Sequence, residues 1–311
     1  MKTTTIASLA LLLAAPLFAG GAGWMSDFEA AKKKAAAEKK DLLVDFTGSD
    51  WCGWCIKLNE EVFQHDPFKK GIADKFILVE LDYPRDKSKL TEATIKQNEE
   101  LQNTYQVKGF PTILLMDAKG LPYAQTGYQA GGPEKYVEHL DGLQTRRVER
   151  DRALAEAEKL EGVAKAKALV TALAGVPSNH HGQYSDLITQ IEKLDPKDET
   201  GFVAKQKREA AKSKLESDLN IALRGGTPDK GLEAIDTFLA KYEPEGEEKQ
   251  EALLMKANVY AMTQKFDQLD QLIEEVVAIN PSSQTGKYAE SLKPRIEAMR
   301  KQVEDAKKEG E

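Results

Sequence analysis

Upstream of about residue 148 the apolar positions alternate between helix-like and strand-like spacing, and downstream only the helical spacing persists. Phe28, Ala31 and Ala35 recur at helical intervals within Asp27 to Lys39, and the compact apolar run from Asp41 to Thr47 predicts a strand. A helix is predicted next, through Leu58 and Val62 to Phe63, followed by a turn at His65-Asp66-Pro67 into a short helix. Lys75 to Asp82 predicts a second strand, and the polar stretch Tyr83 to Asn103 a helix ending near Tyr105. Thr112 to Met116 and Leu121 to Thr126 predict two strands, joined as a hairpin by Asp117-Ala118-Lys119-Gly120. A helix from Pro133, a residue suited to a first helical turn, closes this half.

In the second half, Ala, Glu, Lys and Leu recur with a period near 3.6, which predicts an all-helical domain. Arg146 to Ala157, dense in both charge signs, predicts a solvated helix connecting the halves. Leu194-Asp195-Pro196, Tyr242-Glu243-Pro244 and Ile279-Asn280-Pro281 read as helix stops, and their recurrence predicts stacked helical hairpins. The expected divisions are therefore 1–22, 23–147 and 148–311.

The first of these is a leader. Lys2 precedes an apolar stretch from Ile6 to Ala19, followed by the small residues Gly20, Gly21, Ala22 and Gly23, the pattern of a secretory signal peptide. The stretch is short for a membrane span, which needs roughly 20 apolar residues. No later segment approaches that length, and no cysteine follows the stretch to carry a lipid. The expectation is an exported protein, periplasmic or secreted, with no membrane span once the leader is removed. A net charge of −7 with both signs interspersed argues against nucleic acid as a partner.

The chemistry concentrates at the only two cysteines, in Asp50-Trp51-Cys52-Gly53-Trp54-Cys55, where the predicted strand gives way to a helix. Residues three apart share a helix face, so two sulfurs at this spacing can open or close a bond without moving the fold. Cys52 at the helix start meets unpaired backbone N–H groups and the positive end of the helix dipole, which favour its thiolate. Cys55, one turn further in, is placed to resolve a mixed disulfide. A structural staple would close too small a ring to constrain the unfolded chain much. A zinc site needs about four ligands and this motif supplies two. Two inert buried cysteines fit poorly beside the flanking tryptophans and Gly53. The reading is a redox dithiol that needs no metal or organic cofactor, recharged by an external thiol or disulfide partner because no third cysteine exists.

Residues 25 to 147 resemble a thioredoxin-fold domain, specifically the exported group whose active-site strand reads Phe-Thr-Gly-Ser-Asp-Trp-Cys-Gly-Trp-Cys, here Phe46 to Cys55. Asp45, the CxxC pair and Gly109-Phe110-Pro111-Thr112 agree with that family in order and spacing. The fold class implied is an α/β thioredoxin fold, a central mixed sheet flanked by helices, followed by the all-α domain. The resemblance implies that Pro111 is cis and lies against the dithiol, with Gly127 near the same surface. It also implies that Asp45 lies buried beneath the cysteines and shuttles a proton to or from Cys55; the competing expectation for Asp45 is a strand residue facing solvent. Two departures stand out: the loop before Cys52 is one residue longer, and Leu78 is read where thioredoxin carries a lysine paired to the aspartate.

Trp54 occupies a position where strong oxidants and isomerases of the fold carry a histidine, which leans the reading towards a reductant or electron relay. Trp51 is expected to pack and Trp54 to offer exposed apolar surface to substrate. The expected substrate contacts are Trp51, Gly53, Trp54, Phe110, Pro111 and Gly127. In the helical half, Leu253, Ala257, Tyr260, Leu269, Ile273, Val276 and Pro281 resemble a tetratricopeptide repeat, with Leu269 at its usual small position. That resemblance implies a surface for a protein client. His180-His181 invites a metal reading, but adjacent residues diverge on a helix, and a solvated loop is expected instead. The functional expectation is an extracytoplasmic thiol–disulfide oxidoreductase acting on protein disulfides. The rivals are a binding or assembly factor with an incidental dithiol, and a disulfide isomerase.

Overall fold

The computed structural model describes residues 23–309, so the expected leader at 1–22 lies outside the described residues. Five strands form one mixed sheet: β1 (Trp24–Met25), β2 (Asp41–Thr47), β3 (Phe76–Asp82), β4 (Thr112–Met116) and β5 (Pro122–Thr126), in the order β1-β3-β2-β4-β5. β1 and β2 flank β3 in parallel, whereas β4 pairs antiparallel with both β2 and β5. All seven residues of β2 are buried, which is why the strand reads as a continuous apolar run: a central strand with helices on both faces has no wet side.

Alternation along β2 feeds two cores. Leu43 faces a layer with Trp24 of β1, Leu58 of α2 (Gly53–Leu58), Phe63 just after it, Phe68 of α3 (Asp66–Ile72), and Tyr136 and Leu140 of α5 (Gly132–Ala157). Leu42, Val44 and Phe46 face the other layer, with Phe28, Ala31 and Ala35 from α1 (Phe28–Glu38) and Tyr105 at the end of α4 (Glu92–Thr104). Asp27 caps α1 by accepting the Ala30 N–H at 2.9 Å, and Thr91 caps α4 by accepting from Thr94 at 3.1 Å. A π-helical turn, Asn59–Phe63, continues α2. The two-residue β1 is too short to leave any periodic trace in the sequence.

The chain forms two compact units, one ending at Thr200 and one running from Gly201. The break expected at 147/148 falls inside α5, which runs unbroken through it. The stretch expected to be solvated instead buries Arg150, Ala153 and Ala157, against Ala166, Leu169, Ala172 and Leu173 of α6 (Gly162–Leu173) and the segment leading to α7 (Ser185–Leu194). Charge density misled the reading because the partners that bury Arg150 lie far along the chain: Asp117 at 3.0 Å and the Tyr184 hydroxyl at 2.9 Å.

The second unit is helical throughout: α8 (Phe202–Arg224), α9 (Pro228–Tyr242), α10 (Gly246–Met262), α11 (Phe266–Ile279) and α12 (Gln284–Glu309). α8 packs on α9, and α10 on α11, with α12 against α11. Leu253, Ala257, Leu269, Ile273 and Val276 are buried together in one of its cores. Asp195, Glu243 and Asn280 each follow the last residue of a helix, where the sequence placed its stops.

Candidate active site

The loop from β2 to α2 is pinned to the far end of β3. Ser49 donates to Asp82 through its N–H at 2.9 Å and its hydroxyl at 2.6 Å. Asp50 accepts the backbone N–H groups of Arg85 at 2.9 Å and Asp86 at 3.2 Å, and the Lys89 ammonium at 3.1 Å. The Arg85 N–H is the leading cause that brings its carboxyl down to about 2. Trp51 donates its indole N–H to the Tyr83 carbonyl at 2.8 Å and meets Phe110 edge to face, centroids 5.7 Å apart. Gly48 makes this possible, since a Cβ there would lie 2.6 Å from the Trp51 ring.

Held this way, Cys52 becomes the N-cap of α2, and its Sγ accepts the Cys55 N–H at 3.2 Å. The two cysteines form a disulfide. Cys52 is 7% exposed and Cys55 4%, so the expected contrast between an open and a shielded sulfur is muted in the oxidised pair.

Around the pair, Trp54 is 58% exposed and its ring lies 5.1 Å from that of Tyr128. The Lys57 ammonium sits 5.2 Å from the Trp54 ring and 5.1 Å from the Tyr128 ring, and Tyr128 donates to Glu61 at 2.6 Å. An added Cβ at Gly53 would meet nothing within 4 Å, leaving open space beside the dithiol. The Phe110–Pro111 peptide is cis, and Phe110 packs on both Trp51 and Tyr83. Gly127 lets the chain after β5 approach the Pro111 carbonyl, which a Cβ would meet at 3.0 Å.

Asp45 is 5% exposed, which removes the solvent-facing alternative. It shares a cavity of about 100 Å³ with Cys55, Thr47, Asn59 and Glu80. Burial first, then the neighbouring Glu80 and Asp82 charges, push its carboxyl well above the usual carboxylate range. The register also corrects the reading of Leu78: that residue pairs with Leu43, and the residue beside Asp45 is Glu80. The carboxylate of Glu80 inside Phe-Ile-Leu-Val-Glu-Leu-Asp carries the same sequence signal as Asp45. Asn59 enters the cavity wall from the π-helical turn, a feature the helical period does not disclose.

His180 is also corrected. It is fully buried in a 3₁₀ turn, Ser178–Tyr184, and donates from Nε2 to Gln125 of β5 at 2.8 Å. Among the described residues, no cluster of three or more His, Cys, Asp or Glu side chains is arranged to hold a metal ion. Among the same residues, no helix is long and apolar enough to cross a membrane.

Residues 28–144 match the family described as a thioredoxin-like domain. The chain is similar to the disulfide bond reductase DsbH of Chlamydia pneumoniae, at 36% identity over 39% of this chain and 72% of that protein. It is 32% identical to the thioredoxin-related protein DsbJ of the same organism, over 30% of this chain and 26% of that protein. The thiol:disulfide interchange protein DsbD of Vibrio vulnificus matches at 32% over 35% of this chain and 17% of its own length. A solved DsbH oxidoreductase structure aligns at 29% identity and TM-score 0.38, covering 46% of this chain and 95% of that one.

Proposed function

The chain belongs to the thioredoxin-like family and is a protein-disulfide oxidoreductase, and we propose that it works outside the cytoplasm as a reductant of protein disulfides. The observation that carries the reading is Cys52 at the start of α2, disulfide-bonded to Cys55 one turn in and flanked by the exposed Trp54. In the reduced protein, Cys52 as thiolate attacks one sulfur of a substrate disulfide, and the other substrate sulfur leaves as a thiol. Cys55 then loses its proton to the Asp45 carboxylate and attacks Cys52, which releases the second substrate thiol and closes the Cys52–Cys55 bond. The two sulfurs carry the electron pair themselves, and an external thiol donor returns the dithiol to its reduced form.

Substrate lies along Trp51, Gly53, Trp54, Phe110, Pro111 and Gly127, where an extended segment meets apolar rings and open backbone. The second unit recruits protein clients through a tetratricopeptide-like surface. A groove of about 620 Å³ with Leu254, Met255 and Leu292 in its wall and Tyr288 beside them supports that assignment. The apolar stretch from Ile6 to Ala19 supports export.

Cys55→Ala in the full chain tests the reaction. The variant is expected to accumulate Cys52-linked adducts with proteins outside the cytoplasm. Direction is read by equilibrating the protein with glutathione buffers. Potentials in this fold run from roughly −270 to −120 mV, and a value at the oxidising end overturns the reductant assignment.

A further inference from the structure

We propose that Lys57, Glu61 and Tyr128 form a positioning cluster that holds Trp54 as a fixed apolar shelf at the dithiol, and that this shelf selects substrate disulfides with a bulky apolar side chain beside the cysteine. The inference deepens the dithiol reading above and rests on it.

Trp54 leaves 58% of its surface in water, so burial does not fix its ring. Its neighbours do. Trp54 and Lys57 stand three apart on α2, and Glu61 lies four further on in the π-helical turn, a spacing that brings side chains together along one side of a helix. The Lys57 ammonium sits over two rings, 5.2 Å from the Trp54 centroid and 5.1 Å from that of Tyr128, and 3.7 Å from the Glu61 carboxylate. Glu61 in turn accepts the Tyr128 hydroxyl at 2.6 Å. The tilted contact of the Tyr128 and Trp54 rings, centroids 5.1 Å apart, closes the circle. Tyr128 is itself anchored, for it is half-buried against the core layer that contains Phe63 and Tyr136. It also follows Gly127, whose backbone runs close to the Pro111 carbonyl, so the segment that carries it borders the cis-proline. Beside the shelf, an added Cβ at Gly53 would meet nothing within 4 Å, which leaves room for a substrate side chain.

Contacts of this kind add little to folding, because exposed ion pairs and helical i,i+4 pairs contribute weakly. Their effect falls on binding. A side chain that has to be ordered when a partner arrives weakens association by about two- to tenfold, and a ring already held in place avoids that loss. The Lys57 charge is matched by that of Glu61, so the cluster presents a large ring without net charge. Such a surface favours an apolar neighbour of the substrate cysteine over a polar one.

The test is a single turnover of the reduced full chain with each of two disulfide-linked peptides, identical except for Phe or Ser beside the cysteine. Each releases peptide thiol as Cys52 and Cys55 close their bond. The wild type should favour the Phe peptide through a lower half-saturating concentration, with similar limiting rates for the two. Lys57→Met should cut that preference by about two- to fivefold, the share that a cation on an exposed ring can carry, and Lys57→Arg should restore it. Tyr128→Phe keeps the ring but loses its anchor on Glu61, and should move the preference in the same direction. A partly unfolded variant loses both peptides alike, so the ratio reports the shelf and not the fold. A preference unchanged in Lys57→Met and Tyr128→Phe, or absent from the wild type, overturns the shelf and leaves the dithiol chemistry standing. Failure of the wild type to release thiol from either peptide sinks the dithiol reading itself.

Discussion

Arg150 and Asp117 meet at 3.0 Å with side chains 5% and 11% exposed, and their contact fastens the second half of α5 to the turn between β4 and β5. The same guanidinium donates to the Tyr184 hydroxyl, which donates in turn to the Pro122 carbonyl at 2.9 Å. Removing one member of a buried pair strands the other, at a cost of about 3–5 kcal/mol. Arg150→Ala should therefore lower the unfolding free energy of the first unit by about that amount. Urea unfolding followed by tryptophan fluorescence reports it, because all three tryptophans lie in this unit. A midpoint equal to wild type would show that the helical layer adds nothing to the sheet.

His180 sets an acid limit on the same layer. Burial, and to a lesser degree His181, bring its ring down to about 4, and its Nδ1 has no partner to stabilise a second proton. A histidine lowered by folding takes up its proton more readily in the unfolded chain. Stability should thus be complete above about pH 6.5 and decline as pH falls towards 4, on the order of 2 kcal/mol over the window. His180→Gln should flatten that decline when thermal midpoints are compared across the range.

Asp45 gives the opposite slope. Its carboxyl is raised by folding, so the native state holds the proton more tightly, and stability falls as pH rises above the ordinary carboxylate range towards the native value. Asp45→Asn should raise the unfolding free energy at pH 8, while slowing resolution of the mixed disulfide more than its formation. Greater stability together with lower turnover distinguishes a working carboxylate from a packing residue. Equal effects on both steps would remove Asp45 from the mechanism.

The two tryptophans of the motif should separate in a mutant pair. Trp51 donates to Tyr83 and packs on Phe110 while 39% exposed, so Trp51→Ala should cost about 1 kcal/mol of stability. Trp54 stands largely in solvent, and Trp54→Ala should change stability by less than about 0.5 kcal/mol. It should nevertheless raise KM for a protein disulfide several-fold, without the same effect on a small aromatic disulfide. Parallel assays with both substrates settle the comparison.

Much of this was legible in the chain itself. The dithiol, Asp45 and Phe110-Pro111 sit in short motifs beside strands whose apolar runs are unambiguous, and local signals suffice there. Glu80 escaped because strand register is a tertiary property: reading Leu78 as the neighbour of Asp45 is an error of two positions, which keeps the face and changes the partner. Residues 148–200, helical in pattern, pack with the first unit for a related reason. Arg150 looks like solvated charge until Asp117 and Tyr184, distant in sequence, are brought to it. His180 likewise looks exposed until Gln125 is found against it.

A single uninterrupted rod of 26 residues, about 39 Å long, begins against the sheet with Tyr136 and ends among the helices with Ala157. Such a shaft leaves no seam at which the redox module could be cut free in the form its relatives suggest. Excision after Arg147 would sever the shaft and strip Asp117 of Arg150, whereas a cut between Thr200 and Gly201 respects the joint the molecule has. The piece of this protein to cut out for engineering is thus the sheet together with its helical buttress.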